Sequence, residues 1–323
     1  MLIDALAIIG GFVLLIWSAD RFISGAAAVA DNLKVSPLII GLTIVGFGTS
    51  APEMLVAVFA ASGGNPGMAV GNAIGSNITN IALVLGVTAL IMPIDVHSRI
   101  IRKELPLLML AMGLMLLLIL DNDLGRTDGI LLMGSLVLLM WWIARQALHG
   151  GEDNLLLEFQ EELPHDMPMP RAIFWLVVGM ALLLASSKLL VWGAVNVATA
   201  FGISDLVIGL TIIAIGTSLP ELAASIASAL KGEHDIALGN VVGSNMFNTL
   251  AVLGIPGILA PSTLPQGVLE RDVPVVFMLT IALFIMAYGF RGAGRINRVE
   301  GLLLTGGFVA YQATLYFTTV GTA

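Results

Sequence analysis

The chain contains no cysteine and few charged residues, and both absences restrict what it can be. Without cysteine it forms neither disulfides nor thiolate metal sites. Charged residues make up 11% of its 323 positions, against about 25% in an average globular domain. With 58% hydrophobic residues and a mean hydropathy of +0.98, a soluble domain is excluded. The net charge of −8 comes largely from one loop, so it does not describe a partner-binding surface, and we do not expect nucleic acid as a partner.

Long apolar segments recur along the whole sequence. Each is about 20 residues long, enough to cross a lipid bilayer as a helix, whereas a strand barrel would show short alternating segments. The first segment lacks a basic leader and a cleavage site, so we expect it to be retained as a membrane helix. We predict ten spans, near residues 2–30, 38–62, 67–92, 104–120, 127–147, 171–200, 206–230, 235–260, 272–290 and 297–319.

The loop charges predict how these spans are oriented. Eleven of the 14 basic residues fall on one side of the membrane, two fall on the other, and Lys188 lies within a span. Because loops rich in Lys and Arg stay in the cytoplasm, we expect a multi-pass protein of the cell (inner) membrane with both termini on the extracytoplasmic side. The acidic linker of residues 148–170 is then cytoplasmic.

Two motifs occur twice, each at an offset of 168 residues. GLTIVGFGTSAPEM (41–54) matches GLTIIAIGTSLPEL (209–222) at nine of 14 positions. GNAIGSNITNIALVLG (71–86) matches GNVVGSNMFNTLAVLG (239–254) at nine of 16 positions. The chain is therefore expected to consist of two related halves.

Each half holds five predicted spans, the first in residues 1–147 and the second in residues 171–323. Since five is odd and the linker does not cross the membrane, the halves insert in opposite orientations. Inverted repeats of this kind are a recurring architecture of secondary transporters. The predicted fold class is an all-α membrane protein of ten transmembrane helices in two inverted five-helix repeats. The alternative is a duplicated scaffold without a transport role.

Both copies of the first motif place a glutamate, Glu53 or Glu221, inside a predicted span. An ionised carboxylate is costly there and usually marks an ion path or a proton relay. The alternative is local capping, because Ser50 and Ser218 stand three residues earlier, as in a capping box. The two interpretations are compatible, since a capping box needs a helix to begin there and hence a span broken within the membrane.

Pro52 and Pro220 indicate the same break. Proline lacks an N–H and clashes with the carbonyl four residues earlier, here that of Gly48 or Gly216. A carbonyl freed in a bilayer needs another partner, and a cation is one. Carbonyls, one carboxylate and neighbouring hydroxyls form an oxygen-only set that suits Ca²⁺ and Na⁺. The hydroxyls belong to Thr49, Ser50, Thr217 and Ser218.

The second motif adds a polar stripe to an otherwise apolar helix, with residues spaced i, i+4 and i+8. The stripe consists of Asn72, Ser76 and Asn80 in the first copy and of Asn240, Ser244 and Asn248 in the second. We interpret the last two residues of each stripe as cation ligands. For Asn72 and Asn240, hydrogen bonding between helices is the alternative.

The paired motifs GTSxPE and GNxxGSNxxN resemble the α-repeats of the sodium/calcium exchanger superfamily of cation/Ca²⁺ antiporters, especially its bacterial YrbG-like members. The resemblance covers essentially the whole chain. It implies the exchanger fold, with a core of spans 2, 3, 7 and 8 flanked by long gating helices 1 and 6. The ligands implied by motif match are Thr49, Ser50, Glu53, Ser76, Asn80, Thr217, Ser218, Glu221, Ser244 and Asn248, with the carbonyls of Gly46 and Ala214.

This sequence departs from the family pattern at Asn80 and Asn248, because some members have an aspartate at one of these positions. The site then carries two formal negative charges, which neutralise one Ca²⁺ or two Na⁺. Three Na⁺ would leave a net charge of +1. Stoichiometry and electrogenicity are therefore left open.

The function that these expectations favour is antiport of Ca²⁺ for Na⁺ by alternating access, without a cofactor and without a required oligomer. A Ca²⁺/H⁺ antiporter is the nearest alternative, because burial favours the neutral form of a carboxyl group. A cation channel is a second alternative. An intramembrane hydrolase is a third, with Ser186 or Ser187 beside Lys188 as its only candidate pair, and we do not expect an enzyme.

Overall fold

The computed structural model describes residues 2–96, 101–149, 167–201, 214–288 and 294–320, most of which are helical. The first half consists of α1 (Leu2–Leu33), α2 (Pro37–Ile40), the π-helix π1 (Gly41–Val45), α3 (Gly46–Thr49), α4 (Ala51–Ser62), α5 (Pro66–Ile78), the π-helix π2 (Thr79–Leu85), α6 (Gly86–Ile91), β1 (Ile94–Val96), α7 (Ile101–Ile119), β2 (Asp123–Leu124) and α8 (Arg126–His149).

After the linker the described chain continues in the same manner. Its elements are α9 (Met169–Ala200), α10 (Ala214–Thr217), α11 (Leu219–Leu230), α12 (His234–Phe247), the π-helix π3 (Asn248–Val252), α13 (Gly254–Leu259), β3 (Ser262–Thr263), the π-helix π4 (Val268–Asp272), α14 (Val273–Tyr288), β4 (Gly294–Ile296) and α15 (Arg298–Val320). The antiparallel pairs β1–β4 and β2–β3 join the two halves of the chain.

Five helices of the described residues are long and apolar enough to cross a membrane, or six if one bent pair counts as a single span. The described part of every predicted span is mostly helical. The count of ten and the inverted repeat remain predictions, since residues 202–213 lie outside the described part of the chain. Most of the predicted linker, residues 150–166, also lies outside it.

The predicted break in the first motif is present. The helical segments Pro37–Thr49 and Ala51–Ser62 are bent by 41° relative to each other, and Ser50 lies between them. Ser218 occupies the same place between α10 and α11. The predicted capping boxes are wrong in one respect, because neither serine side chain bonds a backbone N–H of the helix that it precedes. These hydroxyls are therefore available for other contacts.

The long helices α1 and α9 have 32 residues each and run antiparallel. At about 1.5 Å per residue, each spans roughly 48 Å, more than the bilayer core. Glycine lets their backbones touch, because a Cβ atom on Gly179 would lie 2.7 Å from the Phe22 backbone. At the far end, Asn196 Nδ2 donates to Asp4 Oδ1 over 3.0 Å. The two helices form one tightly packed pair.

Helix α12 lies at the centre of the fold, and every residue from Asp235 to Phe247 is buried. It continues into π3 as α5 continues into π2, so both copies of the second motif pass from α-helix to π-helix. π-Helical turns are rare and frequently mark functional sites. Asn80 and Asn248 each lie within such a turn.

Candidate functional site

The first copy of the GTSxPE motif contacts the second copies of both motifs. Thr49 Oγ1 donates to Asn240 Oδ1 over 3.0 Å and lies 3.3 Å from Ser244 Oγ. Ser50 Oγ donates to Glu221 Oε1 over 3.5 Å. These contacts join residues about 170 to 195 positions apart, so the broken helix of one half lies directly against the other half.

The two glutamates are the most deeply buried acidic residues at this junction, with Glu53 0% and Glu221 1% exposed. They lie close enough for a charge on one to act on the other. The Thr217 hydroxyl lies beside Glu53, yet neither Glu53 oxygen accepts a hydrogen bond of ordinary geometry, and Glu221 Oε2 accepts none either. Buried carboxylates are paired, bind metals or take up a proton, so this arrangement favours a bound cation or a proton at these oxygens.

The part of the chain that the structure describes contains no cluster of three or more His, Cys, Asp or Glu side chains, and the described neighbours of the carboxylates include the Ser50 and Thr217 hydroxyls. Asn80 and Asn248 are 1% and 0% exposed, and neither carboxamide makes a hydrogen bond. The buried Ser218 hydroxyl is likewise unpartnered. An unpaired buried polar group costs about 1–3 kcal/mol. Three such groups within the two motifs indicate a ligand or water.

The remaining predicted ligands are less fully defined. Ser76 is 5% exposed and stands one turn before Asn80. Gly46 packs against the second half, because a Cβ there would lie 3.1 Å from Ser244 N. Its carbonyl accepts the Ser50 N–H over 3.1 Å, within the helical chain. Ala214 begins α10 directly after undescribed residues, and the role of its carbonyl stays a prediction.

Asn72 and Asn240 hold the backbone of the two glutamates. Asn72 Nδ2 donates to the Glu53 carbonyl over 3.3 Å, and Asn240 Nδ2 donates to the Glu221 carbonyl over 3.1 Å. Asn240 Nδ2 also donates to Ser225 Oγ over 2.9 Å. These contacts agree with the alternative of hydrogen bonding between helices.

Two further asparagines of the second motif were not predicted as site residues. Asn77 Nδ2 donates to Thr249 Oγ1 over 3.0 Å, which connects α5 to π3. Asn245 is 1% exposed, and both polar atoms of its side chain lack a partner. The signal was present in the sequence, because both residues belong to the repeated GSN triplet.

The two copies of the second motif have different surroundings among the described residues. We call the α5 surface of Gly71, Asn72 and Gly75 the open face. Gly71 is exposed, and a Cβ on either glycine would meet no atom within 4 Å. The corresponding α12 surface of Gly239, Asn240 and Gly243 is the closed face. A Cβ on Gly239 would lie 2.7 Å from the Leu38 carbonyl oxygen.

Comparison with known proteins adds independent evidence. The family profile described as sodium/calcium exchanger protein matches residues 3–145 and 171–317, leaving out the linker. The chain is 53% identical over 317 residues to the candidate antiporter CaxA of Alkalimonas amylolytica, covering 98% of this chain and 99% of that protein. It is 41% identical to the inner membrane protein YrbG of Escherichia coli (strain K12), covering 98% of each.

The fold is similar to a solved structure of the sodium-calcium exchanger NCX_Mj soaked with Na⁺ and Sr²⁺. The TM-score is 0.83 at 29% sequence identity, and the match covers 97% of this chain and 98% of the other. The likeness therefore extends over both halves.

Proposed function

The chain belongs to the sodium/calcium exchanger protein family, and on that premise we propose that it is a secondary active antiporter that exchanges Ca²⁺ for Na⁺ across the cell membrane. The observation that carries this proposal is the burial of Glu53 and Glu221 within reach of each other's charge, with three of their four carboxylate oxygens accepting no hydrogen bond of ordinary geometry. A hard cation bound between them would satisfy these oxygens.

The proposed site consists of oxygen atoms from both halves. Its side-chain ligands are Glu53, Glu221, Thr49, Thr217, Ser50, Ser218, Ser76, Ser244, Asn80 and Asn248, and the carbonyls of Gly46 and Ala214 complete it. Two carboxylates balance one Ca²⁺ or two Na⁺, so either occupancy removes the net charge. Because moving an unbalanced charge through the membrane interior is costly, only a correctly occupied site changes sides easily. This requirement couples the two fluxes.

The proposed transport cycle is alternating access in a ten-span protein with two inverted repeats and both termini outside. The likeness to the sodium-calcium exchanger NCX_Mj over 97% of the chain supports it.

A Ca²⁺/H⁺ antiporter is the second candidate. The same unpartnered carboxylate oxygens favour it, since protons could replace Na⁺ on Glu53 and Glu221. The hydrolase alternative has no such support. Ser186 Oγ donates to the Leu183 carbonyl and Ser187 Oγ to the Gly216 carbonyl, and Lys188 is exposed. No nucleophile and base pair is formed by these three residues.

The experiment is uptake of radiolabelled Ca²⁺ by proteoliposomes under an outward Na⁺ gradient or a proton gradient. We expect Na⁺-driven uptake that is lost in Glu53→Gln and in Glu221→Gln. Glu300→Gln is the matched control, because Glu300 is a partly exposed acid whose carboxylate accepts the Asn297 N–H over 2.8 Å, away from the site.

Uptake driven by protons alone would replace the proposal with the Ca²⁺/H⁺ antiporter. Uptake without any counter-ion dependence would indicate a channel. No uptake under either gradient, with folded protein, would reject calcium as the substrate.

A further inference from the structure

One hydrogen bond joins the two halves of the chain beside the proposed ligands. Asn77 directly follows the proposed ligand Ser76 in α5, and its Nδ2 donates to Thr249 Oγ1 of π3 over 3.0 Å. Thr249 in turn directly follows the proposed ligand Asn248. Asn77 is 2% exposed and Thr249 is 1% exposed, so the bond lies in the protein interior. Each end of it is therefore adjacent in the chain to a proposed ligand.

The other pair of segments has no such bond among the described residues. Asn245 directly follows the proposed ligand Ser244 in α12, and α12 contacts π2. The π2 residue that stands 168 positions before Thr249 is Ile81, which is fully buried and carries no hydroxyl. Both polar atoms of the Asn245 side chain lack a partner, although the residue is 1% exposed. Of the two corresponding contacts, one is fastened by an asparagine and the other is not.

The bond restrains the spacing of the ligands beside it. A displacement of α5 away from π3 that widened the site would separate Asn77 from Thr249 and leave the buried Asn77 amide without an acceptor, which is costly. Selectivity between cations of equal charge depends on the size of the cavity and on the flexibility of the ligands. A bond that restrains two ligand-bearing segments therefore favours one ionic radius over a larger one.

We propose that Asn77 and Thr249 are positioning residues, whose hydrogen bond holds Ser76 and Asn248 at the spacing that distinguishes Ca²⁺ from larger divalent cations such as Sr²⁺. This inference rests on the proposed function and its ligands. It assigns to Asn77 a contact with Thr249 and no contact with the cation, so removing either partner of the bond should have the same effect.

The test measures the dissociation constants of Ca²⁺ and Sr²⁺ by isothermal titration calorimetry on the full chain, in detergent without Na⁺. Thr249→Val removes the hydroxyl and keeps the shape of the side chain. We expect it to weaken Ca²⁺ binding about threefold, the effect of losing one typical interhelical hydrogen bond in a membrane. Sr²⁺ binding should be nearly unchanged, because a looser site still accommodates the larger ion. Asn77→Ala should change the ratio of the two constants equally, and Thr249→Ser should restore it.

Thr280→Val is the matched control. Thr280 is also a fully buried threonine whose hydroxyl contacts the other half of the chain, at Met112 Sδ over 3.1 Å. Neither Thr280 nor Met112 is adjacent in the chain to a proposed ligand. This variant should therefore leave the ratio of the Ca²⁺ and Sr²⁺ dissociation constants unchanged, whatever it does to the stability of the fold.

An unchanged ratio in folded Thr249→Val, with normal Ca²⁺ binding, would overturn this inference and leave the proposed function standing. An equal change of the ratio in Thr280→Val would also overturn it, because any lost buried hydroxyl would then act alike. Loss of Ca²⁺ binding in Asn77→Ala but not in Thr249→Val would overturn it as well, since Asn77 would then be a ligand.

If the unmodified protein binds no Ca²⁺, the proposed function fails and this inference fails with it. If Thr249→Val does not fold, Thr249→Ala and Thr249→Ser replace the comparison, because these two variants differ only by the hydroxyl. The same change of ratio is then expected between them, and an equal ratio in both would overturn the inference.

Discussion

The open face and the closed face have similar sequences and different surroundings. On the closed face, Asn240 is fully buried and bonds Thr49, Ser225 and the Glu221 carbonyl. On the open face, Asn72 is half-buried and makes one described hydrogen bond, to the Glu53 carbonyl. The motif alone therefore does not determine its environment, which depends on the residues that pack against it.

The packing difference comes from the segment α2–π1. Leu38, Gly41 and Leu42 press against Gly239 and Gly243 of the closed face, and backbone meets backbone there. No described residue lies in this position over Gly71 or Gly75. Each face is a glycine surface shaped for close helix contact, and the segment that the repeat would place over the open face, residues 205–213, lies outside the described part of the chain.

The largest effect should come from removing either glutamate. If both faces serve one site, Glu53→Gln and Glu221→Gln should be equivalent despite their different surroundings. Each should abolish exchange and cancel the stabilisation by Ca²⁺, which is about 2.7 kcal/mol at 100 times Kd. Thermal unfolding in detergent with and without Ca²⁺ measures this. Normal Ca²⁺ stabilisation in one of the two variants would show that its glutamate lies outside the site.

The next effect tests the glycines. Gly243→Ala should destabilise the protein by about 1–3 kcal/mol, because its Cβ would overlap the Leu42 backbone. Gly75→Ala should leave stability unchanged within about 0.5 kcal/mol, since its Cβ meets no atom. Thermal unfolding without transported ions compares the two variants. Equal losses of stability would mean that both faces are closed in the dominant state in solution.

Much of this site was predictable, because a polar group inside a bilayer has few possible partners. The Glu53 and Glu221 carboxylates needed a cation, a proton or each other as a partner. Pro52 and Pro220 were expected to interrupt their helices. The sequence therefore predicted the breaks at Ser50 and Ser218 and several of the buried side chains that lack partners, but not Asn245. The assignment of each side chain as a ligand remains a prediction.

Other features could not be predicted from the motifs. A serine at this position can either cap the following helix or contact a side chain of the other half. Ser50 does the latter, because its hydroxyl donates to the Glu221 carboxylate. Nothing in the repeated GNxxGSNxxN residues indicates which copy is enclosed, because that depends on distant residues such as Leu38 and on Ser225. The latter corresponds to Ala57 in the first half. The sequence of the GNxxGSNxxN motif alone therefore does not determine which residues pack against it.

The asparagines give a smaller effect that sharpens the same comparison. Asn240→Ala should cost about 2 kcal/mol, because it removes three hydrogen bonds and leaves the buried Ser225 and Thr49 hydroxyls without this partner. Asn72→Ala should cost about 0.6 kcal/mol, the value of one average interhelical bond in a membrane. Chemical denaturation in mixed micelles measures both. The reverse order would contradict the assignment of the closed face.

The smallest effect concerns the residues that precede the two stripe helices. Asn65 precedes α5, and its side chain accepts the Met68 N–H over 3.3 Å. Glu233 precedes α12, makes no such cap and is 7% exposed. Burial, together with the neighbouring Asp235 charge, raises the pKa of the Glu233 carboxyl from 4.5 to about 7, against the opposing effect of Lys231.

Because the folded state then binds the Glu233 proton more tightly than the unfolded state does, stability should fall as pH rises from about 4.5 to about 7, and the full cost should persist above pH 7. Glu233→Gln should remove this dependence and raise stability at pH 8 by about 1 kcal/mol, since Lys231 and residual solvent offset part of the burial cost. Asn65→Ala is the control, because losing an uncharged cap costs about 1 kcal/mol equally at pH 5 and pH 8. Thermal unfolding at pH 5 and pH 8 compares the two variants with the unmodified protein. If Glu233→Gln and the unmodified protein show the same dependence of stability on pH, Glu233 is solvated in solution.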